Sequence, residues 1–160
     1  MADVENLIYS SRDLGYRISF ECLTEILRTN STSIALHAFF SRENAVDWRI
    51  DYFRRIGWAI HTREIQNVQT HRGIERQANC DNLLLFTAGL LASRSNADSI
   101  AVASGDGDLV CGIIEGLRNL PKPREIVTLS LAGSTSWRLD AMKNSNIRAN
   151  IEIGLDCLKN

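Results

Sequence analysis

The sequence predicts an α/β fold in three layers, with helices on both faces of a mostly parallel sheet. Short apolar segments rich in β-branched residues alternate along the chain with longer segments of helical periodicity. The chain has 160 residues, a length that suits one domain. It contains no Gly/Ser-rich linker, internal repeat or low-complexity run that would divide it. We therefore expect residues 1–160 to form a single domain.

The first half of the chain alternates between helical and extended segments. Ser19 is a typical N-cap residue at the start of a helix that runs through Leu27. Residues 33–40 predict a strand, because they are β-branched and aromatic and have polar neighbours on both sides. Apolar residues at helical spacing then predict a helix that ends at Gly57, followed by a strand over 58–62. The apolar face of that helix would consist of Val46, Ile50, Phe53 and Ile56.

The second half continues the same alternation. Residues 81–94 are apolar nearly all round, which predicts a helix that packs on more than one side. Further strands and helices are expected at 100–103, 109–117, 125–131 and, after a polar capping run at 133–136, from Trp137 onward.

Composition and charge exclude several classes of protein. The net charge is -1, so a polyanion would have to be held by a local patch rather than by a basic protein surface. Fifteen of the 18 basic residues are arginines, whose planar guanidinium suits phosphate oxygens. No segment approaches the ~20 apolar residues of a membrane span, and acidic residues occupy the N-terminus where a signal peptide is basic. We therefore expect a cytoplasmic protein without membrane contact.

The cysteines give no metal-binding pattern. They are widely spaced, without a CxxC pair or a Cys/His cluster that could hold zinc. We expect all of them to be buried thiols of a reduced protein. They are Cys22, Cys80, Cys111 and Cys157.

Acidic side chains follow the predicted strands, at the edge of the sheet where α/β proteins bind ligands. Asp106 and Asp108 come directly after the buried strand 100–103, Asp3 follows an expected first strand of which only two residues precede it, and Asp81 opens a helix. Carboxylates this close repel one another unless a cation lies between them, and magnesium or manganese prefers such oxygen ligands. The alternative is ordinary helix capping, or a frayed terminus in the case of Asp3. Both interpretations stay open.

Two segments that contain these acids match known motifs. One reads Asp3-Val4-Glu5-Asn6-Leu7, and the other, residues 104–109, reads SGDGDL. They resemble the Asp-Gly-Glu-Asn-Leu and Ser-Gly-Asp-Gly-Asp-Phe motifs of the NYN domains, a branch of the PIN-like nucleases that includes the bacterial LabA-like proteins. The resemblance covers the chain in element order and implies a PIN-like, Rossmann-like α/β/α sandwich.

The resemblance also implies a function, a metal-dependent endoribonuclease that hydrolyses RNA phosphodiester bonds. Magnesium or manganese would polarise the phosphate and activate a water molecule. The implied metal ligands are Asp3, Asp81, Asp106 and Asp108. Asn6 would orient a water molecule or a backbone group. The arginines that would hold the RNA backbone are Arg72, Arg76 and Arg138.

The chain departs from the family pattern near Asp81. Thr87 stands where the family has a second Asp, and Gln77 replaces its basic residue. These departures favour an alternative, a catalytically weakened NYN-fold module that binds RNA or regulates. A HAD-like phosphatase fits less well, because that chemistry needs an Asp-x-Asp pair where this chain has Asp3-Val4-Glu5. RNA is the expected partner in both NYN interpretations, and a homodimer is the oligomer that the sequence leaves open.

Overall fold

A computed structural model of the chain describes residues 1–71, 73–78, 80–117, 120, 124–142 and 147–160, with the backbone alone at 75–77, 140–142 and 148. In chain order its elements are β1 (Ala2–Asp3), α1 (Val4–Asp13), β2 (Arg17–Ile18), α2 (Phe20–Thr29), β3 (His37–Arg42), α3 (Trp48–Arg55), β4 (Ala59–Glu64), β5 (Gln66–Thr70), β6 (Gly73–Gln77), α4 (Asp81–Arg94), β7 (Ser99–Ala103), α5 (Gly107–Leu117), β8 (Glu125–Leu131), α6 (Trp137–Met142), β9 (Ile147–Ile153), a 3-10 turn (Leu155–Cys157) and β10 (Leu158–Lys159). Within these ranges, no helix has both the length and the apolar character needed to cross a membrane.

The central sheet has six strands in the order β4-β3-β1-β7-β8-β9, and every pair of neighbours is parallel. The shortest strand, β1, lies near the middle of the sheet. Its Ala2 pairs with Ala38 of β3 and with Ala103 of β7, and Asp3 pairs with Phe39. The first strand is therefore present although only two residues long, and it ends at Asp3 on the carboxyl edge of the sheet.

Helices cover both faces of this sheet, which confirms the predicted α/β fold. Successive side chains of β3 point to opposite faces of the sheet. Phe40 packs in the core with α1, α2 and α3, and Phe39 packs in the core with α4, α5 and α6. Both phenylalanines are fully buried. Each face therefore has its own apolar core, and the parallel strands are buried between them.

Side-chain caps explain where α2 and α3 begin, and they show that the predicted place of Val46 on the apolar face of α3 was wrong. The Ser19 hydroxyl caps α2 by accepting a hydrogen bond from the Cys22 amide at 3.4 Å. Asp47 caps α3 in the same way, through the Arg49 amide at 3.0 Å. Because α3 begins only after that cap, Val46 lies in the preceding loop, 90% exposed, and does not belong to the apolar face of the helix.

Helix α4 is also less enclosed than the sequence predicted. One of its sides packs on α5, with Leu84 and Ala88 in the core that the two helices share. Phe86 faces outward and is 71% exposed. The apolar sequence of α4 therefore does not mean that the helix is buried all round.

The expectation of four free thiols is wrong for two cysteines. Cys22 in the first turn of α2 and Cys157 in the C-terminal 3-10 turn form a disulfide, with their Cα atoms 5.3 Å apart. The antiparallel pairing of β10 with β2 brings these distant segments together. Among the described residues, Cys80 and Cys111 are not part of a disulfide. Spacing along the chain gave no sign of this contact, because 135 positions separate the bonded pair.

Candidate functional site

Asp3 joins the central strand to the first helix at the carboxyl edge of the sheet. Its Oδ1 accepts a hydrogen bond from the Asn6 amide at 3.1 Å, which caps α1, and its Oδ2 accepts one from the Ser104 hydroxyl at 3.3 Å. Burial raises the pKa of Asp3 to about 6, the charges of Asp81 and Glu5 add to the rise, and the two hydrogen bonds oppose it. A negative charge at Asp3 is therefore poorly compensated by the protein alone.

The turn after β7 is fastened to α1 by two polar side chains. The fully buried Ser104 donates to Asp3 and accepts a hydrogen bond from the Asp106 amide at 3.1 Å. The amide oxygen of Asn6 accepts a hydrogen bond from the Gly105 amide at 2.8 Å. The sequence predicts that Asn6 orients a water molecule or a backbone group, and in the structure it holds this backbone nitrogen.

Asp106 caps the helix that follows this turn. Its Oδ1 accepts hydrogen bonds from the amides of Asp108, at 2.8 Å, and Leu109, at 3.4 Å. The capping role considered in the sequence analysis is therefore real. It also fixes the carboxylate of Asp106 at the edge of the sheet next to β1, where a ligand would meet it.

Asp81 brings the third segment to this edge. It is the first residue of α4, and its pKa is raised by partial desolvation and by the nearby charges of Asp106 and Glu5. Asp3 in turn is affected by the charge of Asp81. Asp81 therefore lies near both Asp3 and Asp106. The name acidic centre is used below for these three residues together with Glu5.

Glu5 is the member of the acidic centre that the sequence analysis did not assign. Its Oε2 accepts hydrogen bonds from the amide of Ser41, at 3.1 Å, and from its hydroxyl, at 2.5 Å, and Arg49 lies 3.7 Å from its Oε1. The acid occurs within the motif that begins at Asp3, so the signal was present. Its partners at the end of β3 could not be deduced, because they are 36 or more positions away.

Asp108 differs from the other predicted ligands. Its carboxylate forms an ion pair with Arg138, and its side chain is 73% exposed. Arg138 thus supplies to Asp108 the positive charge that the sequence analysis assigned to a metal ion. The sequence predicts that this arginine holds RNA, and in the structure its ion pair connects α6 to the first turn of α5.

The remaining predicted residues are located less fully. Arg72 lies outside the described residues, and Arg76 is described by its backbone on β6, in the hairpin formed with β5. Thr87, which stands at the position of a family Asp, is 7% exposed within α4.

Cys80 precedes α4, and burial raises the pKa of its thiol, with the charges of Glu5 and Asp3 adding to the rise. A buried thiol therefore lies beside the acidic centre.

The acidic centre fits magnesium or manganese by its chemistry rather than by a preformed cage. In the described part of the chain, no group of three or more His, Cys, Asp or Glu side chains is arranged to hold a metal ion. Magnesium in proteins commonly keeps several water molecules and takes only one or two carboxylates, with substrate phosphates completing its shell. Asp81 and Asp106 are the members best suited to such binding, since the charge of Asp106 already raises the pKa of Asp81.

Comparison with known proteins extends the description of the fold. A solved structure of a protein of unknown function from Vibrio parahaemolyticus, VPA0982, is similar to this chain with a TM-score of 0.76 and 17% sequence identity. The match covers 98% of this chain and 92% of the other. No protein-family model and no curated protein matches the sequence. The likeness shows an α/β fold built on a parallel sheet, and at this identity it shows the fold alone.

Proposed function

We propose that the protein is a metal-dependent endoribonuclease of the NYN type, acting at the acidic centre. The observation that carries this proposal is the convergence of acids from separate segments at one edge of the sheet. The Ser104 hydroxyl donates to Asp3 and accepts from the Asp106 amide, and Asp81 lies close enough for its charge to raise the pKa of Asp3 and for the charge of Asp106 to raise the pKa of Asp81. Folding brings like charges together at a cost, and three acids at the ligand-binding edge of a parallel sheet suit a cation-dependent reaction.

Each residue has a distinct task in this proposal. Asp81 and Asp106 would hold magnesium or manganese, which when bound polarises the scissile phosphate and activates water. Asp3, with a pKa near neutrality, is suited to accept a proton from an attacking water molecule. Asn6 and Ser104 do no chemistry; they hold the turn that carries Asp106 against Asp3.

A second candidate, an RNA-binding or regulatory module without catalysis, is favoured by one observation. Asp108 is already paired with Arg138, so one predicted ligand is engaged by a protein cation. In that case the remaining acids would be a vestige of the catalytic set, and RNA binding would persist without cleavage.

Cleavage of a labelled single-stranded RNA, with Mg²⁺ or Mn²⁺ and with EDTA, separates the two candidates. The informative variant is Asp106→Asn, because Asn caps a helix as well as Asp does and so preserves the start of α5. The matched control is Asp13→Asn, which changes the same charge at the far end of α1.

We expect metal-dependent cleavage by the wild type and by Asp13→Asn, and none by Asp106→Asn. The logarithm of RNA affinity should fall linearly with the logarithm of salt concentration. The slope should correspond to roughly two to four phosphate contacts, at about 0.7 per contact for single strands. RNA binding without cleavage in either metal would reject the enzyme and support the module.

A further inference from the structure

Two of the three tryptophans are exposed to solvent. Trp58 is 4% exposed, and its indole nitrogen donates to the Thr24 hydroxyl at 2.7 Å, as expected of a core residue. Trp48 and Trp137 are 71% and 73% exposed. Tryptophan is the largest side chain and is highly buried on average, so exposed indoles are less common than exposed aliphatic side chains.

The two exposed tryptophans occur in the same local structure. Each is the first residue of a helix, preceded by a capping residue and followed by an arginine: Asp47-Trp48-Arg49 at α3 and Ser136-Trp137-Arg138 at α6. In both, the capping side chain accepts a hydrogen bond from the arginine amide, at 3.0 Å for Asp47 and 3.3 Å for Ser136. The name Trp-Arg turn is used below for each triplet.

The arginines fasten both Trp-Arg turns next to the acidic centre. Arg49 reaches Glu5 and donates a hydrogen bond to the Ser41 carbonyl oxygen at 2.6 Å. Arg138 pairs with Asp108, two residues beyond Asp106, and its guanidinium lies 5.6 Å from the centre of the Trp137 ring. Each turn is therefore held near the centre by an arginine that contacts a carboxylate. The Arg138 guanidinium also faces its own indole, whereas the Arg49 guanidinium lies over the Phe40 ring and the Trp48 ring packs against Tyr52.

The two turns lie on opposite sides of the centre. Trp48 follows β3 and Trp137 follows β8, and between these strands lie β1 and β7, whose ends carry Asp3 and Asp106. β3 and β8 are three strand positions apart in the sheet, which corresponds to roughly 14 Å. The indoles thus form two separate aromatic surfaces, whereas a protein interface has one contiguous apolar centre.

We propose that Trp48 and Trp137 are base-stacking subsites, which hold unpaired bases of one RNA strand on either side of the acidic centre. This inference rests on the proposed function and specifies how its substrate is held. Aromatic surfaces stack on any base, so binding is largely independent of sequence. A duplex, whose bases stack on each other, is excluded from both subsites.

Equilibrium binding in EDTA tests the subsites without cleavage. The probe is a fluorescent uridine oligomer of about 12 nucleotides, within the usual length for single-strand sites. We expect Trp48→Ala and Trp137→Ala each to weaken binding by roughly 5- to 100-fold. The matched control, Phe86→Ala, removes an aromatic side chain that is also 71% exposed, and should leave affinity unchanged.

Two further comparisons separate stacking from general apolar contact. Trp→Phe at either position should retain most of the affinity and Trp→Leu should not, because only an aromatic ring stacks on a base. An abasic oligomer of the same length should bind wild type more weakly and be insensitive to both substitutions.

The subsites are overturned if wild type does not bind the uridine oligomer, if the Trp→Ala variants bind it like wild type, or if Trp→Leu preserves affinity. The measurements distinguish a wrong assignment of the subsites from a wrong assignment of the nuclease activity. Tryptophan-dependent binding without cleavage in Mg²⁺ or Mn²⁺ rejects the nuclease alone. Metal-dependent cleavage by Trp→Ala variants that bind normally rejects the subsites alone.

Discussion

The side-chain oxygen of Asn6 accepts a hydrogen bond from the backbone amide of Gly105 at 2.8 Å, across 99 positions of sequence. This bond joins the first turn of α1 to the turn after β7. Both elements leave the carboxyl edge of neighbouring strands. The start of α1 carries Asp3 and Glu5, and the turn after β7 carries Asp106. The relative position of Asp3 and Asp106 therefore depends on a neutral amide that makes no contact with substrate in the proposed mechanism.

We predict that Gly105→Ala destabilises the protein and damages the acidic centre. A Cβ atom at this position would lie 2.6 Å from the Ser134 carbonyl oxygen and 3.4 Å from the Asn6 oxygen, so the turn would have to move. The expected loss of unfolding free energy is about 1–3 kcal/mol, measured by urea denaturation.

Gly116→Ala is the control for Gly105→Ala. Gly116 lies in α5, and a Cβ atom added there would meet no other atom within 4 Å, so alanine should raise stability by up to about 1 kcal/mol. Equal effects of the two substitutions would contradict the tight packing of the turn.

Asp3→Asn should stabilise the protein at neutral pH and not in acid. The folded pKa of about 6 exceeds the ordinary value of 3.8, so the folded protein retains a proton that the unfolded chain releases between these values. The contribution of Asp3 to stability is therefore complete below about pH 4 and is lost as the pH rises through about 6. Asn cannot ionise and still caps α1.

Thermal and urea unfolding of wild type and Asp3→Asn in EDTA, at several pH values, measure this effect. The difference in unfolding free energy should grow from near zero at about pH 4 to about 3 kcal/mol well above pH 6. Excess Mn²⁺ should reduce it, because a bound cation stabilises the ionised carboxylate of the wild type. A difference that does not vary with pH would argue against a poorly compensated charge at Asp3.

Cys157→Ser should lower the unfolding free energy by about 2–5 kcal/mol, because the lost bond connects residues 135 positions apart. Urea denaturation with and without a reducing agent measures this. Reduction should bring wild type to the stability of the variant, and Cys111→Ser, which changes a cysteine outside the disulfide, should have a smaller effect. A variant as stable as oxidised wild type would mean that the bond does not restrain the chain.

The parts of the structure with strong local signals could be predicted from sequence. Asp106 follows a buried apolar strand and precedes an amphipathic helix, so its place at the sheet edge followed from pattern and topology. The same rule placed Asp81 near it. The hairpin β5–β6 gave no such signal, because Gln66–Thr70 is polar and lacks alternation.

Contacts between distant segments could not be predicted. The hydrogen bonds from Ser41 to Glu5 and the pairing of Cys22 with Cys157 depend on how whole elements pack, which a single sequence does not encode in any local pattern. The ion pair of Asp108 with Arg138 is of the same kind. For this reason the sequence predicted which acids come to this edge of the sheet while leaving their partners unknown.

Calorimetric titration of Mn²⁺ into wild type and Asp81→Asn tests the central claim, that the acidic centre binds a divalent cation. Asp81 is the best position to change, because it is an exposed first-turn residue of α4 that leaves the Asp106 cap and the Asn6 contact intact. Asp13→Asn, about 15 Å along α1 from Asp3, controls for net charge. We predict that wild type and Asp13→Asn bind Mn²⁺ alike, and that Asp81→Asn binds at least about tenfold more weakly, as loss of a direct carboxylate ligand implies. Equal affinity of Asp81→Asn and wild type, or no binding by wild type, would contradict the account.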